Sequence, residues 1–482
     1  MRARRFIAAG AAAVAVVAAT SIYFHSRESG RAETSTLPVA SVTEFDAALA
    51  AAAPGETSTF RVATVTEFDA AIAAAASGDT IILADGQWKP LKVRRKDITG
   101  EPVTIRGSRG ARVSQIGFNK SSNFVLSGFT VTPPGIQRAR IEVEGRSSHS
   151  FVIERVLVDG RDSGDGCAGA PRRDTDGDGR RDTCPPGFPA VGGALIDAKD
   201  ATNVVVRDST FTKCGKRLKC LTTNPSMKVL NNTFRENYSA AFIKGGGGVI
   251  RGNTFGYLGH GDCSEQTLPD GSVLDCPHYS QVSINGQGPW FIEGNRFAVQ
   301  EGGSAVVSQT IGANVTLTVN LVNNIFPATL PEYPGKASRY SYAVRFGSGR
   351  TPEATPRNSK VLHNTFLYSG KASVYIPGDW TPVPRAEQPL VANNILFRQK
   401  RGCSASARAG RWVSNVVITA DPQFPCAGLE QGVPNLDAKY RPQEPSPQVI
   451  GAADPAYASR LDFCGKPRVA APDRGAVETQ GC

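Results

Sequence analysis

The sequence lacks the motifs of several common classes of protein. It has no phosphate-binding loop, no dinucleotide-binding fingerprint and no G-x-S-x-G nucleophile motif. Its basic residues are scattered and are not grouped with aromatic residues, which argues against a nucleic-acid partner. It has five histidines and no C-x-x-C pair, so a metal role for its cysteines is disfavoured.

Glycine and proline, by contrast, are abundant, with 50 and 32 of 482 residues. Hydrophobic residues make up 40 % and charged residues 20 %, which indicates an ordered chain with many turns and argues against a helical bundle. The net charge is +11 and the pI is about 9.2. A basic surface of this kind suits an acidic partner such as membrane headgroups or an acidic glycan.

The N-terminus has the pattern of an export signal. Arg2, Arg4 and Arg5 precede an apolar run from Phe6 to Phe24. Residues 1–25 are therefore predicted to be a signal peptide or a retained signal anchor. Either alternative makes the protein secreted or extracellular, and a membrane is a partner only if the segment is retained.

The ten cysteines fall into five couples of near neighbours. Pairing within each couple is preferred among the many possible connectivities, because disulfides persist outside the cytoplasm. The expected couples are Cys167 with Cys184, Cys214 with Cys220, Cys263 with Cys276, Cys403 with Cys426 and Cys464 with Cys482.

An early segment is duplicated, since Val39–Thr57 closely matches Val62–Thr80 at an offset of 23 residues. In the second copy Thr66 and an acid three residues later, Asp69, are close to a capping box. A helix is predicted from Thr66 to Ser77, ahead of a strand, and it would cover the open edge of the first coil. The first copy is expected to be a spare duplicate with no strand after it.

A short pattern organises most of the chain: two apolar residues, one or two variable ones, then Asn-x-Phe. A unit near 21–23 residues with inserted loops predicts a solenoid, and the Leu ladder of leucine-rich repeats is missing. The repeated Asn suits left-handed turns and stacked amides, and the repeated Phe would stack inside the coil. The copies are Val229–Phe234, Val249–Phe255, Phe291–Phe297, Leu321–Phe326 and Val361–Phe366, with degenerate ones ending at Phe211 and Leu396.

The two ends of this region carry a family resemblance. Ser77–Trp88, after an Ala-rich helix, resembles the opening of family-six polysaccharide lyases, which include alginate lyases and chondroitinase B. The stretch from Ser446 to Glu478 resembles the closing segment of secreted bacterial β-helix proteins. The resemblance implies an all-β fold: a single-stranded right-handed parallel β-helix with an N-terminal capping helix. The expected boundaries are a linker over 26–61, the β-helix over 62–440 with an insertion at 161–190, and a closing segment over 441–482.

The resemblance also implies a set of catalytic residues. Lys244 lies nine residues before Asn253, as does the base of family-six lyases, which removes the proton α to a uronate carboxylate held by Ca²⁺. The family's Glu-x-Glu calcium ligands and its arginine are not matched here. Arg251, in the same repeat, and Arg345, by residue type, are the substitutes. The alternative is that all three are solvent-facing strand residues.

Residues 174–182 read DTDGDGRRD and place acids at Asp174, Asp176, Asp178 and Asp182, with Arg180 offering its backbone carbonyl. The pattern resembles thrombospondin type-3 calcium repeats and predicts a bound Ca²⁺. A solvated acidic insertion is the alternative.

Three weaker candidates remain. Glu142 and Glu144 lie two apart and would share one face of a strand, as an exposed pair or a carbohydrate or cation site. Gly259–Gly261 is similar to the G-H-G of polygalacturonases, but the carboxylate pair of those hydrolases is missing. His363 lies in a repeat turn and is expected to be structural.

The function that best fits these features is Ca²⁺-assisted β-elimination on a uronate-containing polysaccharide by a monomeric extracellular lyase. The alternatives are a non-catalytic β-helix protein that binds cell-surface or matrix glycan, and a glycoside hydrolase or epimerase on the same fold.

Overall fold

The computed structural model describes most of the solenoid and its closing segment. The described residues are 20–25, 34–39, 57–132, 140–160, 193–199, 201–212, 218–223, 227–235, 241–244, 246–256, 280–285, 288–297, 304–309, 317–328, 342–347, 357–368, 372–376, 383–399, 410–420 and 428–481.

The strands form two long, almost wholly parallel sheets, one of 15 strands and one of 23. A typical coil adds one strand to the first sheet and two to the second, which yields three ladders. Ladder one contains β1 (Thr20–His25), β2 (Thr34–Val39), β3 (Ser58–Val62), β4 (Thr80–Leu83), β7 (Val103–Gly107), β10 (Ser122–Ser127), β13 (His149–Glu154), β16 (Thr202–Arg207), β19 (Met227–Leu230), β22 (Gly248–Arg251), β25 (Gly288–Glu293), β28 (Leu317–Val322), β31 (Lys360–Leu362), β34 (Leu390–Ala392) and β36 (Arg411–Val413).

Ladders two and three together make the larger sheet. Ladder two contains β5 (Gly86–Trp88), β8 (Ala111–Val113), β11 (Thr130–Val131), β14 (Leu157–Asp159), β17 (Thr210–Thr212), β20 (Thr233–Arg235), β23 (Thr254–Phe255), β26 (Arg296–Phe297), β29 (Ile325–Phe326), β32 (Thr365–Phe366), β35 (Ile395–Gln399), β37 (Asn415–Ala420) and β38 (Leu429–Gln431). Ladder three contains β6 (Leu91–Arg94), β9 (Gln115–Asn119), β12 (Arg140–Glu144), β15 (Gly193–Lys199), β18 (Leu218–Thr223), β21 (Ala241–Lys244), β24 (Ser280–Asn285), β27 (Ser304–Gln309), β30 (Tyr342–Phe346) and β33 (Ala372–Tyr375).

This architecture is an all-β right-handed parallel β-helix, which confirms the predicted fold class. The repeat is the unit that stacks: Val229 pairs with Ile250, and Ile250 pairs with Ile292 on the next coil. Side chains alternate between the interior and the outside, as in β28, where Leu317, Val319 and Leu321 are buried.

The repeated phenylalanines stack inside the coil, as predicted. Neighbouring rings have centroids 4.5–4.9 Å apart and are tilted by less than 20° from parallel. This spacing matches the separation of adjacent strands, so the interior is filled without a gap at each step. The stacked residues are Phe211, Phe234, Phe255, Phe297, Phe326 and Phe366, all fully buried.

The repeated asparagines form a second buried column at the corner between ladders one and two. In each link, the side-chain amide of one asparagine donates to the carboxamide oxygen of the asparagine on the next coil at 2.8–3.1 Å. The same oxygen also accepts the backbone N–H of the donating asparagine. The residue that precedes each of these asparagines has a left-handed backbone conformation, as Asn231 and Gly252 do. The column contains Asn232, Asn253, Asn295, Asn324, Asn364, Asn394 and Asn415, and we call it the asparagine ladder.

The N-terminal helix differs from its predicted bounds. The helix α1 spans Val65–Ala74, and its N-cap is Thr64, whose hydroxyl accepts from the backbone N–H of Glu67 while the Glu67 carboxylate accepts from the backbone of Thr64. The capping box therefore lies two residues before the predicted Thr66. Phe68, Ala71 and Ile72 are the buried residues of this helix, which packs against β3, β4 and β6.

The solenoid begins at Ser58 rather than at Val62, because β3 precedes the helix and pairs in parallel with β4. The expectation that no strand follows the first copy of the duplication was therefore wrong. The strands β1 and β2 extend this edge in antiparallel fashion, so the helix does not cover it alone. The signal-peptide assignment of residues 1–25 stays a prediction. Among the described residues, no helix is long and apolar enough to span a membrane.

After β38 the closing segment folds back along the corner between ladders one and two. It holds a short 3₁₀ helix, Pro455–Tyr457; a second one, Arg385–Glu387, precedes β34. The guanidinium of Arg468, almost fully buried, pairs with Glu478 and donates to the Asn323 carboxamide at 2.8 Å. The segment thus lies against the side of the solenoid as well as at its end.

Two cysteines lie among the described residues. Cys220 is fully buried on β18, and Cys464 packs beside the apolar residues of the closing segment. The other eight lie outside the described residues, so the five disulfides stay a prediction.

The asparagine ladder predicts a specific loss of stability. Replacing Asn295 by alanine removes its bonds to Asn253, Asn324 and the Ile250 carbonyl and leaves buried polar groups unpaired. We expect Asn295→Ala to lower the free energy of unfolding by about 3 kcal/mol in urea denaturation. The control Asn320→Ala, on the outer face of the neighbouring β28, should cost less than about 0.5 kcal/mol. Equal effects of the two substitutions would contradict a special role for the ladder.

Candidate functional site

The outer face of ladder three carries a groove near the N-terminal end of the solenoid. Its volume is about 700 Å³. It crosses β6, β9 and β12. Along each of these strands, every second side chain fills the interior and the residues between them point outward. The lining residues are Lys92, Val93, Arg94, Arg95, Gln115, Gly117, Phe118, Asn119, Glu142 and Glu144.

A hydrogen-bonded network forms the acidic wall of the groove. Arg140 contacts the Glu142 carboxylate at 2.6 Å and the Asp197 carboxylate at 2.8 Å. Gln115 donates to the other oxygen of Glu142 at 2.8 Å. Because Gly117 has no side chain, the space above it remains open, with Glu142 3.9 Å from where a Cβ would lie. Glu142 is therefore held in place, and its charge is only partly offset, because Arg140 is shared with Asp197 and Gln115 is uncharged.

The opposite wall is cationic. Lys92, Arg94 and Arg95 are exposed, and none of their side chains forms an ion pair or hydrogen bond within the described part of the chain. Arg95 has a left-handed backbone with φ of 50°, just after β6 ends. Three unpaired cations on one wall make the groove a favourable place for an anionic ligand.

The predicted catalytic residues do not come together in one place. Lys244 ends β21 on ladder three. This strand lies three strands away from β12, which carries Glu144, and the usual strand spacing makes that distance about 14 Å. Arg345 lies on the same ladder, a further three strands along, or about 14 Å. Its Nε donates to the Gly347 carbonyl at 3.2 Å.

Arg251 belongs to a different face. It ends β22 on ladder one, where its Nε donates to Glu293 at 2.9 Å in an exposed ion pair. Arg251 and Lys244 thus end strands on two different faces of the coil. Arg251 is therefore a surface ion-pair residue of the solenoid.

The remaining candidates divide by position. Glu142 and Glu144 do share the outer face of one strand, as alternation predicts, and both line the groove. His363 is fully buried in its repeat turn, in agreement with a structural role. The calcium loop with Asp174, Asp176, Asp178, Arg180 and Asp182, and the Gly259–Gly261 motif, lie outside the described residues.

No group of three or more His, Cys, Asp or Glu within the described ranges could hold a metal ion. Glu142 and Asp197 lie side by side on β12 and β15, but Arg140 pairs with both carboxylates. The described residues at the groove therefore do not fit a calcium ion.

The cationic wall was not anticipated from the sequence. Lys92 and Arg94 alternate with the buried Leu91 and Val93, a pattern that marks them as outward residues. What the sequence could not supply was the register that stacks them below Gly117, Asn119 and the two glutamates.

Comparisons with known proteins yield structures at low identity. No protein-family model and no curated protein match the chain. An alginate lyase of polysaccharide lyase family 6 is similar over 88% of this chain and 57% of its own length, at 14% identity and a TM-score of 0.41. The pectate lyase Pel9A matches over 85% and 90% of the two chains, at 12% identity and a TM-score of 0.39. The surface adhesin PfbA of Streptococcus pneumoniae matches over 78% and 89%, at 11% identity and a TM-score of 0.37. This chain thus spans little more than half the length of that alginate lyase. At these identities, the activities of the three proteins cannot be transferred to this chain.

Proposed function

We propose that this protein binds an acidic, uronate-containing polysaccharide along the outer face of ladder three and cleaves it by β-elimination outside the cytoplasm. The observation that carries the binding part is the cationic wall of Lys92, Arg94 and Arg95, unpaired among the described residues and facing an open groove. Stacked parallel strands present a long flat face, on which a polymer can lie across several coils.

The chain's charge supports the same ligand class. The net charge of +11 favours the approach of a polyanion from a distance, and the effect weakens as salt rises. Locally, Arg140 and Gln115 bind the Glu142 carboxylate, and Arg140 offsets part of its charge. An anionic ligand in the groove would therefore contact the cationic wall, which is unpaired among the described residues, on one side. On the other side it would contact the wall of Glu142, whose charge is partly offset.

For the chemical step we propose Lys244 as the base. It lies on ladder three, in the direction that a polymer leaving the groove along this face would take. The neutral amine would remove the proton on the carbon α to the uronate carboxylate. The released electron pair forms a carbon–carbon double bond as the glycosidic carbon–oxygen bond breaks, and the leaving oxygen takes up a proton from water.

The binding proposal predicts a charge-specific loss of affinity. We expect the triple variant Lys92→Ser, Arg94→Ser and Arg95→Asn to weaken binding of alginate, pectate or dermatan sulfate about tenfold at low salt, by isothermal calorimetry. Asparagine is used at position 95 because it tolerates the left-handed backbone.

The matched control removes three exposed cations from ladder one, with Arg106→Ser, Lys228→Ser and Lys360→Ser. The two triple variants have the same net charge, so a non-specific electrostatic effect would weaken both equally. That result would overturn the groove as the binding site.

The catalytic proposal predicts a spectroscopic signal. Elimination creates an unsaturated uronate, so ultraviolet absorbance should rise when the protein is mixed with its polymer. Lys244→Ala should abolish the rise, while the control Lys228→Ala on ladder one should retain it. A rise that survives Lys244→Ala would refute the base, and no rise on any uronate polymer would refute elimination.

A second candidate is a non-catalytic protein that binds matrix or cell-surface glycan on the same face. The observation that favours it is the separation of Lys244, Arg345 and Arg251 described above. Retained polymer affinity together with absent elimination would select this alternative.

We also propose that residues 174–182 bind a structural Ca²⁺, supported by the spacing of their four aspartates. Calcium titration of the full chain should show one site that Asp176→Ala abolishes, with a lower melting temperature. Unchanged calcium affinity in that variant would refute this site.

A further inference from the structure

The closing segment lies across a column of left-handed turns at the corner between ladders one and two. We call residues 449–481 the strap. Asn393 binds the backbone of Asp454 through both carboxamide atoms, at 2.8 and 2.9 Å, and Ser414 donates to the Ala452 carbonyl at 2.9 Å. The strap is therefore attached to the solenoid by one turn residue per coil.

His363 occupies one of these turn positions, between Asn323 and Asn393. Its ring is fully buried. Nδ1 lies 3.1 Å from the Asp473 carbonyl, which can only accept a hydrogen bond. Nε2 lies 3.1 Å from the carboxamide nitrogen of Asn393, which can only donate. Both contacts are satisfied by the neutral ring with its proton on Nδ1.

The charged groups around the ring belong to the strap. Arg468 is the cation whose charge acts on the ring, and Glu478, Asp462 and Asp473 interact electrostatically with that arginine. The Asp473 carboxylate is already occupied by the backbone N–H groups of Gly451 and Thr479, both at 2.7 Å. The neighbouring turns contribute Asn323 and Asn393, which do not titrate. Among the described residues, no carboxylate is in place to stabilise a histidinium; the backbone carbonyls of Asp473 and Gly475 favour the charged ring, but burial and Arg468 outweigh them.

We propose that His363 is an acid-sensitive latch, and that protonation of its Nε2 releases the strap from the solenoid. The added proton would face the amide donor of Asn393, and the added charge would lie buried beside Arg468. Release would uncover an apolar strip on ladder two, since Ile325 packs against Ala476 and Val477, and Ile395 and Val416 pack against Val449.

The direction of the pH effect follows from the surroundings. Burial, and then the charge of Arg468, lower the pKa of His363 well below its usual 6.5. The stability that the neutral ring contributes is thus complete above about pH 6.5 and is lost as the pH falls below it. Glu478 has the opposite effect on stability. Burial raises the pKa of its carboxyl, so the stability that this carboxyl contributes to the folded state falls as the pH rises. Glu478 would therefore not account for acid release of the strap.

Hydrogen–deuterium exchange on the full chain at pH 7.5 and pH 5 tests this proposal. After correction for intrinsic rates, exchange of strap amides should rise at pH 5 by up to about 30-fold, while amides of β4 to β16 stay protected. His363→Asn supplies the residue that neighbouring turns use and removes the titration, so its strap should show no such rise. His363→Gln serves as a second non-titrating variant. A strap equally protected at both pH values in the wild type, or an equal acid response in both variants, would overturn the latch.

Discussion

The asparagine ladder is the interaction on which the rest of the structure depends. Its six amide-to-amide links satisfy buried polar groups that would otherwise destabilise every turn from Asn232 to Asn415. Because each amide must meet the next at about 3 Å, the coils cannot slip by a residue relative to one another. The register fixed there brings the phenylalanine rings into a continuous stack and decides which residues face outward in the coils from Asn232 to Asn415.

The three ladders present three different outer faces. Ladder three has the groove and Lys244, ladder one has exposed ion pairs such as Arg251 with Glu293, and ladder two is covered by the strap along its later coils. The strap and the groove lie on different sides of the coil. The proposed release of the strap at acid pH and the proposed binding in the groove would therefore be independent of each other.

The sequence predicted the fold well because each copy of the repeat corresponds to one coil of the solenoid. Asn-x-Phe specifies a buried polar turn followed by a buried ring, and the structure contains both columns. The helix start was missed by two residues because Thr64 and Thr66 are both followed by an acid three positions later. The strap's reach was missed because its contacts join residues more than a hundred positions apart, such as His363 and Asp473.

The site was harder to predict than the fold. A spacing of nine residues linked Lys244 to Asn253, but spacing does not reveal which ladder a third residue joins. Arg251 lies two residues before a ladder asparagine, and every residue in that position ends a strand of ladder one. The groove depends on residues from three coils, Lys92, Gly117 and Glu142, and their alignment appears once the register is known.

The most direct test of this account is a crystal structure of the protein with a bound uronate oligosaccharide. We predict sugar density along ladder three, with ligand carboxylates against Lys92, Arg94 or Arg95 and the chain running toward Lys244. Density confined to ladder one or to the strap side, with an empty groove, would contradict it.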